Sequence, residues 1–362
     1  MSDWRTVIGQ IPFDDPASLG YVPGLMELMD DSRVPWRTRR QAAMTLGRLG
    51  PLARAAIPHL LVHLEEMNPD EPDSSPQRWA LSALALFGRE AKSATPSLIR
   101  LLTADGSSIL TQLGCLEALS QIGSADPATI EAMMSYLECR LSLDSDNERE
   151  LTHAAAEAIG YVGPDAAVAV PVLLRAAQAD DDVLRHAALA SLGRIGSRAE
   201  GAIPVVFDLL VDDESEFVRQ AAEKTLGQIG HASWPWVQTL LDDEDGGLRE
   251  RGATIVSGWT GARMEIVPRI ERLLSDPEPR VRLAAAKSWR SLTRRHDLIW
   301  PVLIELLTEG DRQIRRGASQ ELQAIVTAGA VSDHEFRLLQ SDPRSHVRQE
   351  AIRLLRLRRI SK

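Results

Sequence analysis

The sequence predicts an all-α protein, a right-handed α-solenoid (superhelix) of about ten stacked helical hairpins. Its apolar content is 44% but its aromatic content is only 4%, which suits many small contacts between helices better than one large aromatic core. Prolines in similar contexts recur every 31 to 38 residues over most of the chain. A period of this length is typical of helical repeat proteins, in which each unit stacks on the next.

A proline marks the first helix of most predicted repeats. Proline suits the first helical turn, because its missing N–H has no partner there and its fixed φ matches the helix. One double interval follows Pro96, so one repeat start, near Ala128, lacks the marker. The marking prolines are Pro23, Pro58, Pro96, Pro171, Pro204, Pro235, Pro268 and Pro301.

These markers predict the boundaries of the repeats. Residues 1–20 are expected to form an N-terminal cap segment, and residues 21–362 a single solenoid whose last three repeats are strongly basic. Two acidic stretches lengthen individual repeats, residues 67–76 in the second and residues 143–150 in the fourth. The repeats are predicted to begin near residues 21, 56, 94, 128, 169, 202, 235, 267, 301 and 332.

The second helices share a pattern of an Arg near the start, which occurs in seven repeats, a pair of small residues and a closing glycine. Two examples are VRQAAEKTLGQIG at 218–230 and LRHAALASLGRIG at 184–196. Alanine pairs let helix backbones approach closely, and glycine adopts the left-handed conformation of a helix cap. The Gly-x-x-Gly endings, such as Gly47 to Gly50, close helices and follow no strand, so we interpret them as caps and not as phosphate-binding loops.

In five repeats an acidic residue lies six positions before the recurring Arg. Such residues can form charge-assisted hydrogen bonds along the stack. We interpret them as a structural ladder that ties neighbouring repeats, and not as a row of ligand-binding cations, because ion-pair networks recur wherever repeats stack. Gln112 and Thr152 replace the Arg in the third and fourth repeats, which interrupts the ladder. The predicted ladder residues are Arg39, Arg185, Arg219, Arg249, Arg282, Arg315 and Arg348 with Asp213, Asp243, Asp276, Glu309 and Asp342.

The segment DPEPRVRLAA at 276–285 and its counterparts resemble bacterial HEAT-like repeats of the phycobilisome-lyase type. The resemblance covers residues 21–359 and implies the solenoid fold. It leaves the activity open, because proteins with such repeats serve as scaffolds, adaptors, chromophore-lyase subunits and, in one branch, DNA glycosylases.

The sequence predicts no catalytic, cofactor or metal site. No nucleophile-elbow or paired-carboxylate motif occurs. His59 and His63 have the i, i+4 spacing of metal ligands, but no third ligand accompanies them, so we interpret them as a packed or surface pair. Cys115 and Cys139 make no disulfide framework, and no apolar run approaches the roughly 20 residues that cross a bilayer. No secretory signal is visible, and the cytoplasm is therefore the expected location.

Four of the eight tryptophans fall on core positions when the repeats are aligned, namely Trp234, Trp259, Trp289 and Trp300. The alignment does not explain the other four, and one of these is a candidate anchor for a partner in a binding groove. They are Trp4, Trp36, Trp79 and Trp236.

Charge is distributed unevenly along the chain. The net charge is −10, yet residues 280–362 hold 17 Lys/Arg against 9 Asp/Glu. This basic end has two open interpretations, a polar cap on the last repeat or a contact surface for nucleic acid, an anionic membrane or an acidic partner. The balance of −18 over the preceding residues disfavours nucleic acid as the main ligand. The candidate contact residues are Arg290, Arg294, Arg295, Arg312, Arg316, Arg353, Arg356, Arg358 and Arg359.

These features favour a non-catalytic scaffold or adaptor that binds a protein or peptide on its concave face, which the second helices would line. One alternative is a nucleic-acid-binding or repair protein that uses the basic C-terminal repeats. A second alternative, a phycobilin lyase-like subunit, is suggested by the resemblance alone. The sequence makes no prediction about the oligomeric state.

Overall fold

The computed structural model describes residues 7–13, 15–66, 75–143, 145–259, 265–329 and 331–360, without the side chains of residues 333 and 357–360. Within these ranges every regular element is helical and no β-strand occurs. The predicted all-α class is therefore confirmed.

The helices form ten consecutive hairpins, and in each hairpin the second helix is longer than the first. All ten first helices begin within two residues of the predicted repeat starts. The hairpins are α1 Val22–Asp30 with α2 Trp36–Leu49, α3 Ile57–His63 with α4 Pro76–Phe87, α5 Thr95–Thr103 with α6 Ile109–Ile122, α7 Pro127–Arg140 with α8 Asp146–Val162, α9 Val170–Ala176 with α10 Asp182–Ile195, α11 Ile203–Asp212 with α12 Glu216–Ile229, α13 Trp234–Leu241 with α14 Gly246–Ser257, α15 Val267–Leu273 with α16 Pro279–Thr293, α17 Ile299–Leu306 with α18 Arg312–Thr327, and α19 Asp333–Gln340 with α20 Ser345–Ile360.

Glycine ends several second helices and turns the chain into the next repeat. Gly196 follows α10 with φ 69°, a left-handed conformation that residues with a Cβ rarely adopt. A 3-10 segment, Gly196–Ala202, then leads into α11, whose Pro204 lies in the first turn. The predicted roles of the glycine as a cap and of the proline as a helix start are confirmed here.

The chain divides into two compact units. Unit 1 comprises Met1–Val206 and Asp213–Thr225, and unit 2 comprises Phe207–Asp212 and Leu226–Lys362. Each unit is a stack of helical hairpins. The single continuous solenoid over residues 21–362 stays a prediction.

Second helices of successive repeats approach one another closely within each unit. In unit 1, α8 packs on α10, and Ser191 Oγ donates a hydrogen bond of 2.8 Å to the carbonyl of Ala156. In unit 2, Ser288 Oγ on α16 donates to the carbonyl of Ala253 on α14 at 2.5 Å. A buried hydroxyl is therefore satisfied by the neighbouring helix backbone, which requires the two helices to stay in contact.

One helical run, Asp146–Ala176, passes a length and hydropathy test for a membrane span, with a mean hydropathy of 1.3 over its most apolar window. The run is not one straight helix, because Gly163 has φ 78° between α8 and the 3-10 segment that precedes α9. Neither α8 nor α9 alone provides the roughly 20 apolar residues of a spanning helix. The run is therefore weak evidence for a membrane span.

Replacing Gly160 with Ala should destabilise unit 1. A Cβ at Gly160 would lie 2.3 Å from Ser191 Oγ and 2.7 Å from Ser191 Cα, so α8 and α10 would have to move apart. Alanine gains up to about 1 kcal/mol in helix propensity, but overpacking costs about 1–3 kcal/mol. We expect a net loss in the free energy of unfolding, measured by urea denaturation with circular dichroism.

Gly201→Ala is the matched control, because a Cβ there meets nothing within 4 Å. Equal stability of the two variants would contradict the close approach of α8 and α10.

Candidate functional site

The predicted Arg of the fifth repeat, Arg185 on α10, joins its own hairpin to the next repeat. Its Nη1 donates to the carbonyls of Ala179 at 3.0 Å and Asp180 at 2.8 Å, in the turn before α10. Its Nε and Nη2 donate to the carboxylate of Asp213 at 2.8 and 3.0 Å. One guanidinium therefore satisfies two turn carbonyls and pairs with the carboxylate of the following turn, a geometry that matches its planar fork.

Unit 2 contains two further Arg–carboxylate pairs of this kind, and we call each such pair between repeats a rung of the ladder. Arg249 pairs with both carboxylate oxygens of Asp276 at 2.8 and 3.0 Å and donates to two carbonyls of its own turn. Arg282 donates to Glu309 Oε1 at 2.9 Å and to the carbonyl of Asp276 at 2.8 Å. In these repeats, the backbone carbonyl of the acidic residue accepts a hydrogen bond from the Arg six positions later. The side-chain carboxylate of the same acidic residue pairs with the Arg of the preceding repeat.

The other predicted ladder residues are placed differently. Arg219, Arg315 and Arg348 donate Nη1 to the carbonyls six and five residues earlier, and Arg39 donates to the carbonyl of Met29 at 2.8 Å. Asp342 pairs with its neighbour Arg344 at 2.9 Å, and the Asp243 carboxylate accepts the N–H of Asp245 at 2.8 Å. The hydrogen bond from the Arg side chain to a backbone carbonyl therefore occurs in more repeats than the ion pair between repeats.

Glutamine replaces the Arg in two early repeats. Gln112 donates to the carbonyl of Ser107 at 3.0 Å, and Gln77 donates to the carbonyl of Leu64 at 2.8 Å. Gln77 was not among the predicted residues, although it stands eleven residues before Gly88, at the spacing of Arg185 from Gly196. Thr152 has a different contact, with the carbonyl of Arg149 at 2.8 Å.

Hydrogen bonds between charged groups shift the pKa values of Arg185 and Asp276. The hydrogen bond with Asp213 raises the pKa of Arg185 above its ordinary value. Burial raises the pKa of the Asp276 carboxyl, but hydrogen bonds from Arg249 and from the backbone of Glu278 outweigh it, so this pKa lies below its ordinary value. Arg185 and Asp276 are therefore both charged at neutral pH, and each belongs to its own ion pair, Arg185 with Asp213 and Asp276 with Arg249.

Two histidines of α3 contact a carboxylate at the end of α1, in the first hairpin. Asp30 lies 2.7 Å from His59 Nδ1 and 2.8 Å from His63 Nε2. His63 is buried, and its ring centroid lies 4.7 Å from that of Trp79. In the described part of the chain, no group of three or more His, Cys, Asp or Glu side chains is arranged to hold a metal ion.

All four tryptophans predicted for the core are buried, which confirms the alignment of the repeats. Trp79 is buried as well, so the core explains it too. Trp236 is partly exposed and packs against Phe207, with ring centroids 5.2 Å apart. Trp36 is half-buried and lines a groove on α2, and Trp4 lies outside the described residues.

A groove of about 600 Å³ lies on the second-helix face of unit 2 between α18 and α20. Arg312 and Arg316 line it, both are exposed, and neither has a hydrogen bond or ion pair within the described residues. Arg353 also lines it and donates to Ser319 Oγ at 3.0 Å. The one carboxylate among its lining residues, Glu350, accepts a hydrogen bond of 2.7 Å from the same Ser319 hydroxyl. The groove therefore presents a positive charge to solvent.

Four other candidate contact residues do not line this groove, namely Arg290, Arg294, Arg295 and Arg356. Arg290 pairs with Glu321 at 2.6 Å and Arg295 with Asp297 at 2.6 Å, so intramolecular carboxylates already neutralise both. Arg294 directly follows the last residue of α16 and has a φ of 56°. Arg356 is exposed on α20, and the side chains of Arg358 and Arg359 lie outside the described residues.

The second-helix face of unit 1 exposes apolar side chains. Phe217 on α12 is exposed and stacks on His186 of α10, with ring centroids 3.8 Å apart and planes inclined by 9°. Val183, at the position on α10 that corresponds to Phe217, is exposed too. Exposed apolar side chains on one face are typical of surfaces that bind other proteins.

Replacing Arg185 with Ala should cost about 3–5 kcal/mol in the free energy of unfolding, because it leaves a buried carboxylate without its partner. The side chains of Arg185 and Asp213 are only 8% and 4% exposed. The free energy of unfolding of Arg185→Lys should lie between those of wild type and Arg185→Ala, because an ammonium cannot form the bidentate pair. Urea denaturation measures all three proteins.

Arg198→Ala provides the control for that experiment. Arg198 pairs with Asp165, but the two side chains are 58% and 59% exposed, and such surface pairs contribute only about 0–1 kcal/mol. If both variants lost the same stability, the rung at Arg185 would be no stronger than a surface pair.

The Asp276 rung should make stability depend on acid pH. Because the pKa of Asp276 is lower in the folded chain, the pair stabilises the fold above the unfolded pKa, and this stabilisation is lost as pH falls through the folded pKa. We expect the difference in unfolding free energy between wild type and Asp276→Asn to have its maximum value at about pH 7 and to decrease below about pH 4. Urea denaturation across this range checks it, and a difference that did not change with pH would contradict the pairing.

Two stretches of the chain match families of known repeats. Residues 140–227 match the family described as HEAT repeats, and residues 266–296 match the HEAT repeat family. No curated protein matches the sequence. The HEAT-type repeat is therefore established for these stretches, whereas the bacterial origin and the phycobilisome-lyase subtype stay predictions.

Three solved structures have similar folds. Kap95p with RanGDP is 12% identical, with a TM-score of 0.54 over 99% of this chain and 58% of that chain. Kap95 in complex with Nup1 is 14% identical, with a TM-score of 0.55 over 99% of this chain and 53% of the other. The karyopherin Kap121p bound to the SUMO protease Ulp1p is 12% identical, with a TM-score of 0.50 over 95% and 42%. This chain thus spans less than two thirds of each, and at these identities the likeness shows the α-solenoid fold alone.

Proposed function

We propose that the protein is a non-catalytic interaction scaffold that binds a protein or peptide partner on the exposed face of its second helices. The groove between α18 and α20 carries this proposal, because Arg312 and Arg316 offer it two guanidinium groups that have no partner among the described residues. Charged side chains left unpaired on a rigid helical surface are available to an anionic segment of another molecule.

Adjacent arginines on α18 show which residues are available for binding. Arg315 donates to the carbonyls of Glu309 at 2.6 Å and Gly310 at 2.7 Å, so it is used by the fold. Arg316, the next residue, points away from this turn and is exposed in the groove. Substitution of Arg316 therefore tests binding without removing a ladder residue.

The solved structures support a protein partner by analogy. In two of them, Kap95 is in complex with Nup1 and Kap121p is bound to Ulp1p, and α-solenoids offer extended surfaces for such partners. The apolar side chains of unit 1, Val183 and Phe217, fit the same function. Cys115 and Cys139 are free thiols, which is compatible with the reducing cytoplasm that we propose as the location.

Arg316→Glu should weaken partner binding by about tenfold, since reversing a charge in a partly desolvated groove costs about 1.4 kcal/mol or more. The control is Arg337→Glu on α19, which makes the same charge change at an exposed position outside the groove. Quantitative mass spectrometry of proteins co-purified with each variant and with wild type measures the effect. The proposal expects a specific protein that wild type and Arg337→Glu retain and Arg316→Glu loses.

Two results would overturn the proposal. One is retention of the same proteins by Arg316→Glu and Arg337→Glu. The other is co-purified material that nuclease removes, which would support the alternative of nucleic-acid binding through the basic repeats.

A further inference from the structure

A second basic groove, of about 550 Å³, lies on the second-helix face of the first hairpin in unit 1. Its floor is one stripe of α2, formed by residues spaced three or four positions apart. This spacing puts them on the same side of the helix, over about 16 Å of its axis. The stripe consists of Arg37, Arg40, Met44 and Arg48.

The three arginines of this groove are unpaired within the described residues. Arg37, Arg40 and Arg48 are exposed, and none of them has an ion pair or a hydrogen bond there. None of the described residues that line the groove is acidic. The groove is therefore locally cationic, although the residues before 280 carry a net charge of −18.

Aromatic rings form the other part of the groove. The guanidinium carbon of Arg37 lies 5.5 Å from the ring centroid of Trp36, and that of Arg48 lies 5.8 Å from the ring centroid of Phe13. These cation–π contacts orient both guanidinium groups without neutralising them. Trp36 and Phe13 are only partly buried and also offer apolar surface to a ligand.

We propose that this groove binds an extended acidic segment of a partner protein, in which carboxylates alternate with apolar side chains. The carboxylates would meet Arg37, Arg40 and Arg48. The apolar side chains would pack against Trp36, Phe13 and Met44. An extended peptide advances about 3.3 Å per residue and alternates its side chains between two sides, so five residues match the length of the stripe.

The lining favours a peptide over a single-stranded nucleic acid. Nucleotide bases stack on free aromatic faces, but a guanidinium already covers one face of Trp36 and one face of Phe13. Met44 interrupts the cationic stripe between Arg40 and Arg48, which suits alternating apolar and acidic side chains better than an unbroken row of phosphates. The site is separate from the groove between α18 and α20, so it does not depend on the function proposed for that groove.

Fluorescence anisotropy with a labelled peptide, Glu-Leu-Glu-Leu-Glu-Leu-Glu, tests the proposal on the full chain. We expect binding that weakens as salt is raised, because the contacts are electrostatic and exposed. The double variant Arg37→Glu/Arg40→Glu should raise Kd by at least about tenfold. The matched control, Arg89→Glu/Lys92→Glu, reverses two charges on the 3-10 segment Gly88–Ala94, outside the groove, and should change Kd less than about twofold.

Three further variants separate the contributions to binding. Trp36→Ala should weaken binding several-fold, whereas Trp36→Phe should restore most of it, since the ring supplies apolar surface. Arg37→Gln/Arg40→Gln removes the charges without reversing them, and circular dichroism tests whether each variant is folded. If Arg37→Glu/Arg40→Glu proves unfolded, the glutamine variant provides the measurement.

Three results would overturn the proposal. The first is no binding of the peptide by wild type, and the second is a Kd that the groove variants leave unchanged. The third is tighter binding of a twelve-residue oligothymidylate that Arg37→Gln/Arg40→Gln abolishes, which would assign the groove to nucleic acid. If only the variant Arg312→Glu/Arg316→Glu loses peptide binding, the site on α2 is contradicted. The function proposed for the groove between α18 and α20 is then unaffected.

Discussion

Most hairpins of this protein depend on a guanidinium group near the start of the second helix. In the turn that precedes this helix, two carbonyls have no partner from a helical backbone, and unpaired buried carbonyls are costly. Arg185 supplies both hydrogen bonds from Nη1 and still has Nε and Nη2 free for Asp213 of the next turn. The same side chain therefore closes a hairpin and fixes its distance from the following one, which only the planar fork of arginine can do.

This structural use of arginine separates residues of the fold from residues that are available for binding. Arg39 and Arg40 are neighbours on α2, and Arg315 and Arg316 are neighbours on α18. The first of each pair donates to a backbone carbonyl, whereas the second is exposed without an intramolecular partner in the described part of the chain. Consecutive residues on a helix differ by about 100° in direction, so one position faces the turn and the next faces solvent. Arg40 and Arg316 therefore make no hydrogen bond to the hairpin turn in the described part of the chain.

Much of the fold was predictable from the sequence, because its determinants are local. Proline and glycine act through their own backbone conformations, so the helix starts and caps followed from single residues such as Pro204 and Gly196. The pairing of charges did not follow in the same way. Asp276 stands six residues before Arg282, yet its carboxylate pairs with Arg249 of the preceding repeat, because the direction of a side chain depends on how repeats stack. Trp79 remained unexplained for a similar reason, since the acidic insertion before α4 obscures the alignment that places it in the core.

The binding surfaces were the least predictable feature, because sums of charge over long segments conceal local pairing. The basic end from residue 280 contains many arginines, but Arg290 and Arg295 are neutralised by Glu321 and Asp297. The acidic segment before it contains Arg37, Arg40 and Arg48 on one stripe of α2, which the total of −18 hides. At physiological salt the field of an exposed charge falls off over about 8 Å, so a ligand responds to unpaired groups within a groove and not to the net charge of the chain. The excess of arginine at the C-terminal end is therefore a poor guide to where an anionic partner binds, and the exposed arginines Arg40 and Arg316, which follow the ladder residues Arg39 and Arg315, are a better one.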